Sequence, residues 1–190
     1  MQPDNDCSLC PRLADFRVKN RQNYPSFFNS PVLTWGETSA RLLVVGEAPG
    51  LKGANRTGKP FLGDDAGRNL FDALLNHGLA SGDYSSEDLR LHNCRITNAV
   101  RCVPPKKGDS YAPSVQEIKQ CNRFLAAEIK EMPNLAVVLA LGIKANDAVI
   151  RALGLRPLNK YKFERNSERV LPLSRGDLRL LIAIIAPHVT

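Results

Sequence analysis

The chain has 190 residues, with 26 Lys and Arg against 19 Asp and Glu, a formal net charge of +7, 43% apolar residues and five cysteines. That length supports one sizeable core and so one domain, and the proportions exclude wholesale disorder, collagen and coiled coil. No apolar run approaches the roughly eighteen residues of a membrane helix, and the start Met1-Gln2-Pro3-Asp4 has neither basic flank nor apolar segment, so a cytoplasmic protein without a membrane partner is expected.

Residues 1–39, rich in Pro, Asn and Arg, lack a periodic apolar face and read as an irregular arm. Arg41 to Val45, closed by Gly46, is the short continuous apolar run of a strand buried on both faces. A long glycine-bearing loop follows. Ala66 to Leu79 sets Leu70, Phe71, Leu74 and Leu75 at helical spacing, with Gly78 as its stop. Arg95 to Val100 reads as a second strand, which Pro104 and Pro105 end. Ser114 with Glu117 is a capping-box signature, and Val115, Ile118, Cys121, Phe124, Leu125 and Ile129 make one apolar stripe to about Met132. Leu135 to Leu141 reads as a strand, Ile143 to Leu153 as a helix, Asn159 to Ser167 as a polar, basic connection, and Leu178 to Ile185 as another buried run. Buried strands alternating with helices predict an α/β fold: a single three-layer α/β/α domain with a mostly parallel sheet.

In a reducing compartment five cysteines serve as metal ligands or buried thiols rather than as disulfides. The two-residue gap between Cys7 and Cys10 lets both thiolates reach one metal centre, and Cys102 and Cys121 are two distant donors that would complete four-coordination. Zinc and an iron–sulfur cluster both suit such a set. The plainer reading is that Cys121 continues an apolar stripe and Cys102 ends a strand. Cys94, beside a core strand, reads as a small buried hydrophobe.

Between the first strand and the first predicted helix lie Gly46-Glu47-Ala48-Pro49-Gly50 and then Gly53 to Asp64, at the carboxyl end of a strand where open α/β sheets bind ligands. Gly53 to Lys59 has the glycine and lysine spacing of a phosphate loop, but Pro60 stands where that motif needs Ser or Thr, so nucleotide hydrolysis is not expected. Asp64 and Asp65 precede a helix and would cap it whatever else they do. Phe61 by itself reads as core, and His188 as an ordinary histidine.

Taken together, Cys-x-x-Cys, Gly-Glu-Ala-Pro-Gly, the run from Gly53 to Asp64, Ile96-Thr97-Asn98-Ala99-Val100-Arg101-Cys102, the helical Cys121 and the final His188-Val189-Thr190 resemble the iron–sulfur uracil-DNA glycosylases, family 5 most and family 4 next. The resemblance covers nearly the whole chain. It implies a single uracil-DNA glycosylase-like domain over 1–190, with a structural [4Fe–4S] cluster on Cys7, Cys10, Cys102 and Cys121 tying the arm to the core. No nucleotide cofactor is implied. The implied activity is hydrolysis of the N-glycosidic bond of uracil in DNA, and of other deaminated bases such as hypoxanthine and xanthine, by a monomer. The basic surplus suits that polyanionic partner.

By the same resemblance Phe61 stacks on the flipped base, Asn98 reads its edge, and Gly46 and Asn55 join in binding it. His188 hydrogen-bonds the uracil O2, and Asp64 orients water or steadies the sugar cation. Glu47 stands where family 5 typically has an apolar residue and family 4 a Glu, which makes it a second candidate carboxylate, unranked against Asp64. Lys106-Lys107-Gly108-Asp109 holds no histidine, so the covalent trapping of a related branch is not expected. In the family a wedge loop and a closing helix follow the histidine motif. This sequence stops at Thr190, which predicts an exposed edge near Ile182 to Ile185. A rival from another class is a non-catalytic iron–sulfur or zinc DNA-binding module.

Overall fold

The computed structural model describes residues 1–106, 112–173 and 176–184. Its elements in chain order are α1 (Pro11–Asn23), β1 (Leu42–Gly46), α2 (Ala54–Thr57), α3 (Asp65–Asn76), β2 (Ala80–Ser81), β3 (Arg90–Leu91), β4 (Cys94–Asn98), α4 (Val115–Glu131), β5 (Val137–Leu141), α5 (Ile143–Ala152), a 3-10 helix (Leu158–Tyr161), β6 (Ser167–Leu173) and β7 (Gly176–Ala183). The main sheet runs β4-β1-β5-β7-β6, all neighbours parallel except the last pair, and β2 pairs with β3 in a separate small ribbon. No helix among the described residues is long and apolar enough to cross a membrane.

Strand β1 shows why the sheet is covered on both sides. Leu43 and Val45 pack with residues of α4 and α5, whereas Val44 packs with Leu70, Phe71 and Leu74 of α3, and all three β1 residues are fully buried. Removing two faces of one strand from water is what selects the continuous apolar run rather than an alternating one. Helix α4 starts as expected, with a reciprocal Ser114–Glu117 capping box. Gly78 lies just past the end of α3 at φ 67°, a conformation that costs glycine little.

Two expectations are corrected. The arm is not irregular throughout: Pro11–Asn23 is a helix whose buried residues are Leu13, Arg17 and Asn20. A helix that buries polar side chains has no apolar period to read. Pro11 sits in its first turn, where a missing N–H costs nothing. Of the edge expected near Ile182 to Ile185, the part up to Ile182 is covered, because β6 pairs with β7 from Ser167↔Ile182 to Leu173↔Gly176 and makes β7 an interior strand, while Ile185 lies outside the described residues. At the opposite edge, Trp35 exchanges two backbone hydrogen bonds with Ile96 of β4, at 3.0 and 2.8 Å, and the Val32 N–H reaches the Arg101 carbonyl at 2.7 Å. The arm therefore blunts that edge.

Candidate active site

The site forms where β1 and β4 end side by side, with Gly46 in register with Asn98. β4 stops at Asn98 because the chain then folds back: the Ala99 and Val100 N–H groups donate to the carbonyls of Gly46 and Glu47, at 2.8 and 3.0 Å. That return locks the two strand ends together. Gly46 leaves room for what meets across it, since a Cβ there would lie 2.5 Å from Asn98 Oδ1 and 2.5 Å from the Phe61 ring. Asn98 is 3% exposed, and among the described residues its side-chain amide makes no hydrogen bond. The side chain borders the pocket, where its amide is available to a ligand.

Phe61 closes the loop from the other side, in the left-handed region at φ 60°. Three residues on, Asp64 caps α3: its Oδ1 accepts the Gly67 N–H at 2.9 Å. Its Oδ2 turns the other way, against Gly50 and Gly53, where added Cβ atoms would come within 3.1 and 2.2 Å. Capping thus occupies one carboxylate oxygen and leaves the other at the loop. Ala48, Pro49, Gly50, Ala54, Phe61, Asp64, Ala66 and Asn98 line one pocket of about 180 Å³.

The other predicted site residues lie elsewhere. Glu47 does not line that pocket; it is half-exposed and bonded to Lys144 Nζ of α5 at 2.8 Å. Asn55 is 2% exposed and lies behind the loop. Its amide nitrogen donates to Asn29 Oδ1 at 2.9 Å, and its backbone N–H and C=O are taken by Gly50 and Asn29. It clamps the loop to the arm rather than facing a ligand. His188 lies outside the described residues. The phosphate-loop look-alike is a single helical turn, α2, ended by Gly58 at φ 75°. A larger cleft of about 630 Å³ opens between Leu9–Arg12 and Ala112–Gln120, and it holds none of the loop residues.

The four candidate ligands come from three places, the start of the arm, the segment after β4 and the middle of α4, and Cys7, Cys10, Cys102 and Cys121 all border one small cavity. Among the described residues no three His, Cys, Asp or Glu side chains are grouped closely enough for a single ion. A cubane cluster spreads its thiolates over separate irons and so tolerates wider spacing than one zinc. Polar donors aim at the sulfurs: the Arg101 N–H lies 3.4 Å from Cys121 Sγ and Arg17 Nη1 3.7 Å from Cys102 Sγ, while Arg17 Nε is buried without a partner. Cationic and N–H donors around sulfur, one of them unsatisfied, fit an anionic cluster. Without metal, burial pushes the Cys10 thiol up to about 11 and the Cys102 thiol to about 12, with Cys121 and Cys7 adding to both, so metal entry would release protons. Cys94 is fully buried in the other cluster of the core.

Three features had no sequence signal strong enough to find. Lys144 is an ordinary helix residue by pattern. Arg101, fully buried beside the candidate ligand Cys102, pairs with Glu128 of α4 at 2.8 Å and also bonds Thr34 and Thr97. Tyr84, an aromatic inside the polar turn Gly82 to Ser86, hydrogen-bonds the loop that carries Phe61; its place among turn residues was the one available hint.

Comparison with known proteins converges on one family. Residues 33–186 match the model of the uracil DNA glycosylase superfamily. The chain is 37% identical over 176 residues to a "Type-5 uracil-DNA glycosylase" of Thermus thermophilus, covering 89% of this chain and 78% of that protein. It is 40% identical over 156 residues to a "Type-5 uracil-DNA glycosylase" of Pyrobaculum aerophilum, covering 78% and 67%. A "Type-4 uracil-DNA glycosylase" of Archaeoglobus fulgidus is 32% identical over a shorter 105 residues, 55% of this chain and 45% of that protein. A mostly parallel sheet whose first strand ends in a glycine loop, with an aromatic ring, an amide and a carboxylate around one pocket, thus accompanies a match over most of the chain, and the chain belongs to the uracil DNA glycosylase superfamily.

Proposed function

We propose that the chain is a monofunctional uracil-DNA glycosylase of the type-5 kind, acting as a monomer to hydrolyse the N-glycosidic bond of uracil in DNA and leave an abasic site. The observation that carries this reading is the convergence of Phe61, Asn98 and Asp64 on one pocket of about 180 Å³. A glycosylase must take the base out of the stack and hold it where the bond can break. The Phe61 ring offers a flat apolar wall, and the unpartnered Asn98 amide offers one donor and one acceptor to adjacent ring atoms.

As the carbon–nitrogen bond breaks, its electron pair leaves with uracil and the sugar becomes an oxocarbenium ion. Asp64 Oδ2 stands on the sugar side of this scheme. It steadies the cation and orients a water, whose oxygen adds to the anomeric carbon and whose proton ends on the departing base or in solvent. The N-cap bond to Gly67 and the glycine notch fix the carboxylate before substrate arrives, which is what makes the orientation useful. His188 takes the role of a donor to the uracil O2 by resemblance. Glu47, paired with Lys144, belongs to the rim. Small residues around the pocket, Gly50, Ala54 and Ala66, support acceptance of the larger hypoxanthine and xanthine.

The donor set supports a [4Fe–4S] cluster held by Cys7, Cys10, Cys102 and Cys121. It would supply a cross-link between arm and core and take no part in the bond-breaking step. Loaded protein should absorb near 400 nm, and Cys102→Ser with Cys121→Ser should remove that absorbance and raise hydrogen exchange over residues 1–39. Colourless protein carrying zinc would overturn the cluster.

The deciding test is single-turnover excision from oligonucleotides carrying uracil, hypoxanthine or xanthine. Asp64→Asn keeps a capping side chain, so it should leave the melting temperature within a few degrees while slowing uracil excision by about 10²–10⁴-fold. Absence of excision by the unsubstituted chain would leave the DNA-binding module as the reading.

A further inference from the structure

The loop that carries the ring and the carboxylate has hydrogen bonds of its own, Leu62 N–H to the Lys59 carbonyl at 3.2 Å and Thr57 Oγ1 to the Leu62 carbonyl at 3.0 Å, but neither of these reaches Phe61 or Asp64. Phe61 is a non-glycine residue in the left-handed region, a conformation that persists only where its surroundings over-determine it. Its carbonyl is pressed against Gly67, where a Cβ would fall 1.6 Å from it. One hydroxyl sits at the centre of this turn. Tyr84 Oη accepts the Gly63 N–H at 2.8 Å and lies 3.0 Å from the Phe61 carbonyl and 2.9 Å from the Asp64 carbonyl, to which its single proton is donated in turn. It thus binds the backbone of the stacking residue, of the acid and of the glycine between them.

Tyr84 is itself anchored. Its ring packs on Phe71, centroids 5.4 Å apart, and Phe71 packs on Trp35 at 5.6 Å in the same core cluster. The Arg68 guanidinium lies 5.3 Å over the tyrosine ring. The chain reaches this position through the loop joining β2 and β3, a two-stranded ribbon that contributes nothing to the main sheet. The ribbon presents one aromatic side chain, rooted in the core, to the back of the pocket loop.

We infer that Tyr84 is the positioning residue of the pocket: its hydroxyl sets the distance and angle between the Phe61 ring and the Asp64 carboxylate. This rests on the glycosylase reading above. Tyr84→Phe keeps the ring and its packing and removes only the hydroxyl. Because small misplacement of reacting groups costs up to about 100-fold, the single-turnover rate of uracil excision should fall at least about tenfold, well below the melting temperature. The dissociation constant for abasic-site duplex should stay within about twofold, since that duplex carries no base for the Phe61 ring to stack on. In an Asp64→Asn background the same substitution should lose more than half of its effect on a logarithmic scale, because part of what the hydroxyl positions is already gone.

A purely structural tyrosine would instead lower the melting temperature while leaving the rate and its additivity unchanged, and that outcome overturns the inference. Hydrogen exchange provides a reading that needs no activity: amides of Leu62 to Gly67 should exchange faster in Tyr84→Phe. Unaltered exchange there sinks the inference even if the enzyme is active. Failure of the unsubstituted chain to excise uracil removes the glycosylase reading, and the exchange experiment then still decides whether Tyr84 holds the turn.

Discussion

The pocket loop and the N-terminal arm are both irregular in pattern, yet they are held by opposite means. Residues 46–64 are shaped by the absence of side chains: Gly46, Gly50 and Gly53 let a ring, an amide and a carboxylate approach the backbone closely. The arm is shaped by polar side chains, Arg17, Asn20 and Asn29 among them buried. Arg17 reaches the Cys7 carbonyl at 3.0 Å, Arg12 forks onto Glu117 at 2.7 and 2.6 Å, and Asn29 gathers the carbonyls of Asn20, Tyr24 and Phe27. One region spends conformational freedom on a cavity, and the other spends charge on a junction. The difference teaches that function and attachment can be damaged separately.

The largest effect is expected at the junction. Glu128, 1% exposed, faces Arg101 and Arg95 and accepts from Thr34 and from Gln2 of the arm. Glu128→Ala removes the counter-charge from the buried Arg101 and the partly buried Arg95 and should cost about 3–5 kcal/mol in urea denaturation. A loss below about 1 kcal/mol would mean that the attachment of the arm does not depend on the Glu128 network.

Next is the loop. Gly46→Ala places a methyl group where the Asn98 amide and the Phe61 ring meet, and excision should fall about 100-fold while the fold, followed by thermal melting, survives. Full activity would show that the pocket opens elsewhere.

The pH dependence follows the junction rather than the loop. Burial pushes the Glu128 carboxyl up, but Arg101, the Thr34 hydroxyl and Arg95 outweigh it, and the net displacement is downward. A carboxyl depressed in the folded state stabilises fully above its unfolded value of about 4.3 and loses that contribution as pH falls through the folded value. Stability should therefore decline below about pH 4, and Glu128→Gln should flatten that decline.

The smallest effect is expected at the rim. Lys144 and Glu47 are about a third exposed, so Lys144→Ala should change stability by less than about 1 kcal/mol and excision by no more than a few-fold. A larger loss would bring Glu47 into the chemistry beside Asp64.

Most of the sheet was legible because its residues report burial one at a time. The run from Leu42 to Val45, the capped stripe of α4 and the strand before Gly142 each carry their own period. The arm helix did not, since Arg17 and Asn20 are buried by partners far along the chain rather than by hydrophobicity. β6 is illegible for a related reason: Ser167 to Leu173 opens with the polar Ser-Glu-Arg that continues the preceding connection and carries Pro172, so it has no clear period of its own, and only pairing with β7 makes it a strand.

At the site, motif order points to Phe61, Asn98 and Asp64 and also to Asn55, which is buried, bonds Asn29 of the arm and does not line the pocket. Nothing local distinguishes an amide that faces a cavity from one that faces another amide.

By itself, the order of residues along this chain determined the alternation of strands and helices, the glycine-rich turn and the paired thiols, because propensity and periodicity act between near neighbours. Tertiary structure alone decided which oxygen of Asp64 is left over from capping, that Glu47 is taken by Lys144, and that a tyrosine from a separate ribbon reaches the turn. Those outcomes depend on which distant groups are brought within a hydrogen-bond length, a distance no local pattern encodes.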